Sequence, residues 1–136
     1  HNTYVAHVLD LAMEDGKPRV QKVHCAVDCG IVVNPIAATN LCEGGSVDGI
    51  GHAMFSGLTF TDGVPDQQNF DKYRLVRHKE APRAVDVHFV ENGIDPTGLG
   101  EPPFPPVIGA LANALYKATG KRQYNQPFMT EGIKLG

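Results

Sequence analysis

The segment Asn92-Gly93-Ile94-Asp95-Pro96-Thr97-Gly98-Leu99-Gly100-Glu101-Pro102-Pro103-Phe104-Pro105-Pro106 limits the fold more than any other stretch of the chain. Proline removes a backbone donor and fixes φ, and glycine has too much freedom to be held cheaply in a regular element. The run therefore reads as a constrained loop, excluded from helix and from the centre of a sheet. It divides the chain into a strand-rich part with one helix before it and a single helix after it.

Upstream, Tyr4 to Met13 and Arg19 to Val27 read as two strands joined through Glu14-Asp15-Gly16-Lys17-Pro18, whose Asp-Gly step suits a tight hairpin. Asn34 followed by Pro35 is the order of a helix N-cap and first helical position, which predicts a helix running to about Gly57. Val47, Ile50, Met54 and Leu58 recur in it at helical spacing, while Gly44, Gly45, Gly49 and Gly51 interrupt it. Each interior glycine costs roughly 1 kcal/mol relative to alanine, so the cluster asks for a close approach by another backbone or by a ligand. Both readings stay open at this level.

Leu58 to Thr61 and the Asp62-Gly63 step predict a second hairpin, and Val85 to Val90 alternates like a half-buried strand. Beyond the loop, Ile108, Leu111, Ala112, Leu115 and Ala118 fall on one helical face between Val107 and Ala118, with Gly120 as the stop. The order predicts an α+β fold, an antiparallel or mixed sheet with two packed helices, as a single domain over residues 1–136.

The composition of the 136 residues, 42% hydrophobic and 20% charged, is that of an ordinary globular domain. The net charge of -3 gives no reason to expect nucleic acid. No apolar stretch approaches the roughly twenty residues of a membrane span, so no membrane partner is expected. The chain opens at His1 and enters a strand pattern almost at once, which reads as a cut, and the cytoplasm and the periplasm stay equally open as locations. Cys25, Cys29 and Cys42 lack the paired spacing of a zinc site and read as small buried thiols, with no metal ligand assigned. The histidines His7, His24, His52, His78 and His88 read as surface or packing residues. Tyr73 and Arg74 follow a turn and either border a substrate funnel or, like Arg77, belong to a solvated face.

Glu101 is the candidate catalytic residue. It is a lone carboxylate between the flexible Gly98-Leu99-Gly100 and the stiff Pro102-Pro103-Phe104-Pro105-Pro106, ahead of a helix N-terminus whose partial positive charge favours an anion. The alternative is a solvated loop glutamate at a proline-rich helix entry, and local sequence does not separate the two.

Four ordered elements carry a resemblance that covers most of the chain: Val27-Asp28-Cys29-Gly30 with Asn34-Pro35, Glu43-Gly44-Gly45 with Gly49-Ile50-Gly51, Gly98-Leu99-Gly100-Glu101-Pro102-Pro103, and Ala112-Asn113-Ala114 with Thr119-Gly120-Lys121-Arg122. Together they resemble the carboxy-terminal region of the large, molybdopterin-binding subunit of molybdenum hydroxylases, the xanthine dehydrogenase and aldehyde oxidase family. The ending and Asn69-Phe70-Asp71-Lys72-Tyr73-Arg74 look most like the isoquinoline 1-oxidoreductase beta-subunit type. The resemblance implies a carboxy-terminal fragment of the molybdenum-cofactor-binding domain, whose other cofactor contacts lie in the upstream remainder of the large subunit. It implies a molybdenum–pyranopterin cofactor in the full enzyme and a small iron–sulfur subunit as electron-carrying partner. The substrate would be an N-heteroaromatic ring or an aldehyde, oxidised with water as the oxygen source, and Glu101 would be the general base. Leu99 and Gly100 would border the cofactor, as would Leu41, where many relatives carry a glutamine that hydrogen-bonds it. Leucine cannot make that bond.

Alone, the fragment is expected to be inactive, to lack molybdenum and to self-associate through apolar surface around Glu43 to Leu58. A freestanding α+β binding or scaffold module without catalysis is the alternative reading.

Overall fold

In the computed structural model, residues 2–129 are described. Strands β1 (Tyr4–Glu14) and β2 (Lys17–Asp28) form the expected hairpin, helix α1 spans Pro35–Phe55, β3 (Phe60–Thr61) and β4 (Val64–Pro65) form a small second hairpin, and a 3-10 turn covers His78–Glu80. Strand β5 (Ala84–Phe89) and helix α2 (Phe104–Thr119) complete the order. Asp15 and Gly16 both adopt positive φ, 50° and 72°, as a two-residue hairpin turn with the right twist requires.

The main sheet is mixed, with order β1-β2-β5: β1 runs antiparallel to β2, and β5 lies parallel to it from Lys22↔Ala84 to Val27↔Phe89. A parallel return needs a crossover, and α1 supplies it. The hairpin carries an irregularity between Asp10 and Leu11, where Asp10 pairs with Lys22 but Leu11 with Val20. Gln21 is the extra residue. In a regular strand Val20 and Val23, three residues apart, would point to opposite faces; with Gln21 bulged out both are buried, at 4% and 0% exposure.

Helices α1 and α2 pack on one face of this sheet. Val20 and Val23 meet Ile50, Ala53 and Met54 of α1 and Val107, Leu111 and Leu115 of α2 in the larger core cluster. Burying each of the larger side chains, the valines, leucines, Ile50 and Met54, contributes about 1.5–3 kcal/mol, which offsets the poor helical propensity of α1. The four glycines of α1 now divide. A Cβ on Gly49 would stand 2.5 Å from Val107 Cγ1 and 2.6 Å from the Phe104 carbonyl oxygen, and one on Gly51 2.8 Å from Val76 Cγ1. Gly45 faces Pro103 in ordinary contact, whereas Gly44 has nothing within 4 Å. Protein packing accounts for Gly49 and Gly51, and Gly44 is left for another explanation.

Asn34 Oδ1 accepts from the Ala37 N–H, and Gly120, at φ 70°, sends its N–H to the Tyr116 carbonyl, so both expected caps are present. At its other end α1 is closed by the tail: the Phe128 and Met129 N–H groups donate to the Ala53 and Met54 carbonyls at 2.7 and 2.9 Å. These are among the four carbonyls a helix leaves unpaired.

Three expectations need correction. Helix α2 begins at Phe104, not Val107, because Pro105 and Pro106 occupy the first turn, where no N–H is needed. Ala118 shares the face of Val107, Leu111 and Leu115 but is exposed, since it stands in the last turn of the helix, and the buried part of that face begins at Val107. Between Glu43 and Leu58, Ile50, Ala53 and Met54 are buried while Val47 and Phe55 are half-buried and Leu58 is 49% exposed, so the apolar surface left on this stretch is smaller than expected. The large exposed apolar side chains include Tyr4 and Val8 of β1, at 77% and 64%.

Candidate functional site

Glu101 closes the loop at the mouth of α2. Its carbonyl accepts from the Phe104 N–H at 2.9 Å, and it stands two residues before the N-cap, Pro103. The loop leading to it is stitched to the end of β2: the Thr97 N–H donates to the Cys29 carbonyl at 2.9 Å and the Ile31 N–H to the Ile94 carbonyl at 3.0 Å. Gly30, at φ 71°, permits this contact, since a Cβ there would lie 2.3 Å from the Asp95 carbonyl oxygen. The Thr3 hydroxyl reaches the Thr97 hydroxyl at 2.6 Å and donates to the Gly98 carbonyl. A loop that composition makes irregular is thus pinned at both ends, and Glu101 stands just ahead of the start of α2.

Glu101 opens on a cavity of about 660 Å³ whose walls include Leu41, Gly44, Asp48, Gly100 and Phe104. Leu41, Gly44 and Asp48 recur at the three- and four-residue spacing that puts them on one face of α1. Gly44 and Gly100 both line it, and a Cβ on either would meet nothing within 4 Å. Their lack of a side chain keeps the cavity open instead of admitting a protein neighbour. Leu41 is 48% exposed. The lining holds two carboxylates, Asp48 and Glu101, and no lysine, arginine or histidine among the described residues.

Of the four residues singled out in sequence, Glu101, Gly100 and Leu41 come together in this cavity. Leu99 does not line it; its side chain packs beneath, against Cys25, Val27, Cys29 and Cys42. Asp48 and Phe104 were not foreseen, although the spacing Leu41, Gly44, Asp48 was readable as one helical stripe. His52 stands behind them, with Nε2 3.6 Å from Asp48 Oδ1 and its ring edge-on to Phe104 at 5.4 Å between centroids. Tyr73 approaches the other side of His52 at 6.5 Å. Arg74 turns away to a larger cavity of about 1050 Å³ at the hairpin tip, where it pairs with Glu80 at 2.6 Å and covers the Phe55 ring at 4.2 Å. None of the sequence-selected residues other than Arg74 lines that cavity.

The three cysteines are free and buried. Cys25 and Cys42 share a hydrogen bond under α1, which with the nearby His7 ring draws the Cys25 thiol down to about 5 and pushes Cys42 up. His7 Nε2 lies 3.2 Å from Ser46 Oγ, whose hydroxyl donates to the Cys42 carbonyl at 2.8 Å. Among the described residues no group of three or more His, Cys, Asp or Glu is placed to hold a metal ion, and no helix is long and apolar enough to cross a membrane.

The fold is thus a mixed sheet with two helices on one face, and the loop carboxylate Glu101 shares one cavity with Gly44 and Gly100. Residues 2–82 match the family described as molybdopterin cofactor-binding domain, and the chain belongs to that family. It is 33% identical over 116 residues to the membrane-bound aldehyde dehydrogenase [pyrroloquinoline-quinone] of Gluconacetobacter polyoxogenes, covering 85% of this chain and 15% of the relative. It is 30% identical over 108 residues to isoquinoline 1-oxidoreductase subunit beta of Brevundimonas diminuta, covering 79% of this chain and 14% of the relative. The fold matches that of the aldehyde oxidoreductase from Desulfovibrio gigas with a TM-score of 0.76 at 24% identity, over 92% of this chain and 14% of that one. The chain thus spans about one seventh of the length of these relatives.

Proposed function

We propose that this chain forms one wall of the active site in a larger molybdenum hydroxylase subunit, and that Glu101 is the general base there. The observation that carries this reading is the convergence of Glu101, Gly100 and Leu41 on one cavity with an open glycine cradle. A pyranopterin needs backbone to approach closely over a broad face, and Gly44 and Gly100 leave that room. Its phosphate end would meet no cation among the described lining residues, so this wall suits the uncharged part, and the charged end belongs to segments of the remaining subunit. The full-length subunit would pair with a small iron–sulfur subunit that accepts electrons.

The reaction is the hydroxylation of an N-heteroaromatic or aldehyde carbon: C–H and water become C–OH, releasing two protons and two electrons. When bound, the molybdenum group supplies the electron sink and the activated oxygen. Glu101 takes up the proton from the water-derived oxygen at its carboxylate, and the dipole of α2 stabilises the anion it must be beforehand. Phe104 and Leu41 cover the apolar flank and thin the water around that carboxylate as substrate enters. The chain alone offers the base and one wall, and is expected to turn nothing over.

Glu101→Gln in the assembled enzyme tests the reading by single-turnover reduction of the metal centre, with molybdenum content checked in both proteins. Glutamine keeps the shape and cannot take a proton, so the rate should fall by about 10² to 10⁴ with metal retained. A variant with full molybdenum that is reduced at the unaltered rate removes Glu101 from the chemistry.

A further inference from the structure

We infer that Asp48 is a specificity-determining residue of this cavity, and that it selects a planar nitrogen heterocycle bearing a positive charge or an N–H donor over one bearing a carboxylate. The inference rests on the proposed reading of Glu101 and narrows its substrate class.

Asp48 lies one helical turn beyond Gly44 on the face of α1 that lines the cavity, and its side chain is 61% exposed toward it and the solvent. His52 stands behind at 3.6 Å, too long for a hydrogen bond, so the carboxylate keeps its acceptor capacity for a ligand. The same His52 ring braces Phe104 edge-on, at an interplanar angle of 65°, and Phe104 is the aromatic wall of the cavity. A flat ring laid on Phe104 gains offset stacking, and a cationic ring gains attraction to the aromatic face as well. Asp48 and Glu101 are both acidic and no lysine, arginine or histidine lines the cavity among the described residues, so a carboxylate on the ring meets two like charges, which the neutral Asn40 amide and the partial charge at the start of α2 offset only in part. An aldehyde, with neither N–H nor positive charge, gives Asp48 nothing to bind.

The test compares equilibrium dialysis of N-methylquinolinium, a fixed cation, and nicotinate, an anion, on the molybdenum-loaded enzyme and on its Asp48→Asn variant. Asparagine keeps the size and removes the charge. The Kd for N-methylquinolinium should rise about tenfold and that for nicotinate should fall, the scale of one charge-assisted contact. These are binding readouts and need no turnover, so they stand or fall separately from the Glu101→Gln rate. A ratio of the two Kd values that is unchanged in Asp48→Asn overturns the inference, whatever Glu101→Gln does. A parallel weakening of both ligands overturns it too, since it would mark Asp48 as structural support.

Discussion

Gly49 on α1 and Phe104 at the start of α2 approach so closely that a Cβ on the glycine would stand 2.6 Å from the Phe104 carbonyl oxygen, with Val107 Cγ1 at 2.5 Å. Backbone cannot yield as a flexible side chain can, so Gly49→Ala must part the two helices. We predict a loss of about 1–3 kcal/mol, the range for overpacking a core. Gly44→Ala, five residues earlier and facing open space, should instead stabilise the helix by roughly 0.5–1 kcal/mol. Urea unfolding of the two variants decides it. Equal effects would mean that the contact seen at Gly49 does not set the helix spacing.

Why some of this was readable in the sequence and some was not follows from the range of the interactions. The Asp15-Gly16 turn, the Asn34-Pro35 cap and the Gly120 stop depend on neighbours within four residues, and all three stand where expected. The bulge at Gln21 depends on which face α1 and α2 cover, which no local pattern states. The parallel placing of β5, equally, is a matter of crossover and not of the alternation in Val85 to Val90. At the site, the flanking glycines and prolines mark Glu101 as a candidate, but its proposed role as a base comes from the resemblance and not from local sequence. Asp48 was hidden because a charged residue on a helix reads as solvated until the loop that faces it is known. Phe104 was hidden by prolines that look like a break but serve as a first turn.

The Cys25 thiol, drawn down to about 5 from an ordinary 9.0 mainly by the hydrogen bond with Cys42 and then by His7, makes stability depend on pH. Between those values the folded state has released a proton that the unfolded state still holds, so stability rises with pH through this window. The contribution is complete above about 9 and is lost as pH falls through about 5. Against Cys25→Ala, whose buried truncation lowers stability at every pH, the unaltered protein should gain progressively from about pH 5 to pH 8. Denaturant midpoints across that range measure it. Parallel profiles for the two proteins would rule out the ionised thiol.

Arg74 holds two contacts at once, the Phe55 ring at 4.2 Å and Glu80 at 2.6 Å, and the latter lowers the Glu80 carboxyl below its ordinary range. Arg74→Lys keeps the charge but loses the planar stacking and the fixed fork. About 0.5–1 kcal/mol should be lost at neutral pH, since both groups are only part-buried. The Glu80 contribution is present above the ordinary carboxylate range and disappears as pH falls through its lowered value, so the two proteins should converge in acid. Thermal melts at about pH 7 and about pH 3 give the comparison. A difference that persists undiminished in acid would assign the effect to Phe55 packing alone.

Leu41 stands on the wall of the Glu101 cavity at 48% exposure, at the position where related subunits are expected to carry a cofactor-bonding glutamine. A leucine there offers contact area but no donor or acceptor. Leu41→Gln in the assembled enzyme should therefore raise molybdenum occupancy after dialysis, by up to about tenfold in retention, the scale of one good hydrogen bond to a polar group in a part-buried site. The change lies on an exposed helix face, where leucine and glutamine have similar helical propensity, so the fold should be unaffected within about 0.5 kcal/mol. The same measurement on the 136-residue chain alone should find no molybdenum with either residue, because one wall with two carboxylates and no cation cannot hold an anionic group by itself. Metal analysis by mass spectrometry reads both arms. Occupancy in the assembled enzyme that does not change with Leu41→Gln would show that this wall meets the pterin through Gly44 and Gly100 alone. Stoichiometric molybdenum on the isolated chain would mean that the site is complete within it, and that the larger subunit is not needed to hold the cofactor.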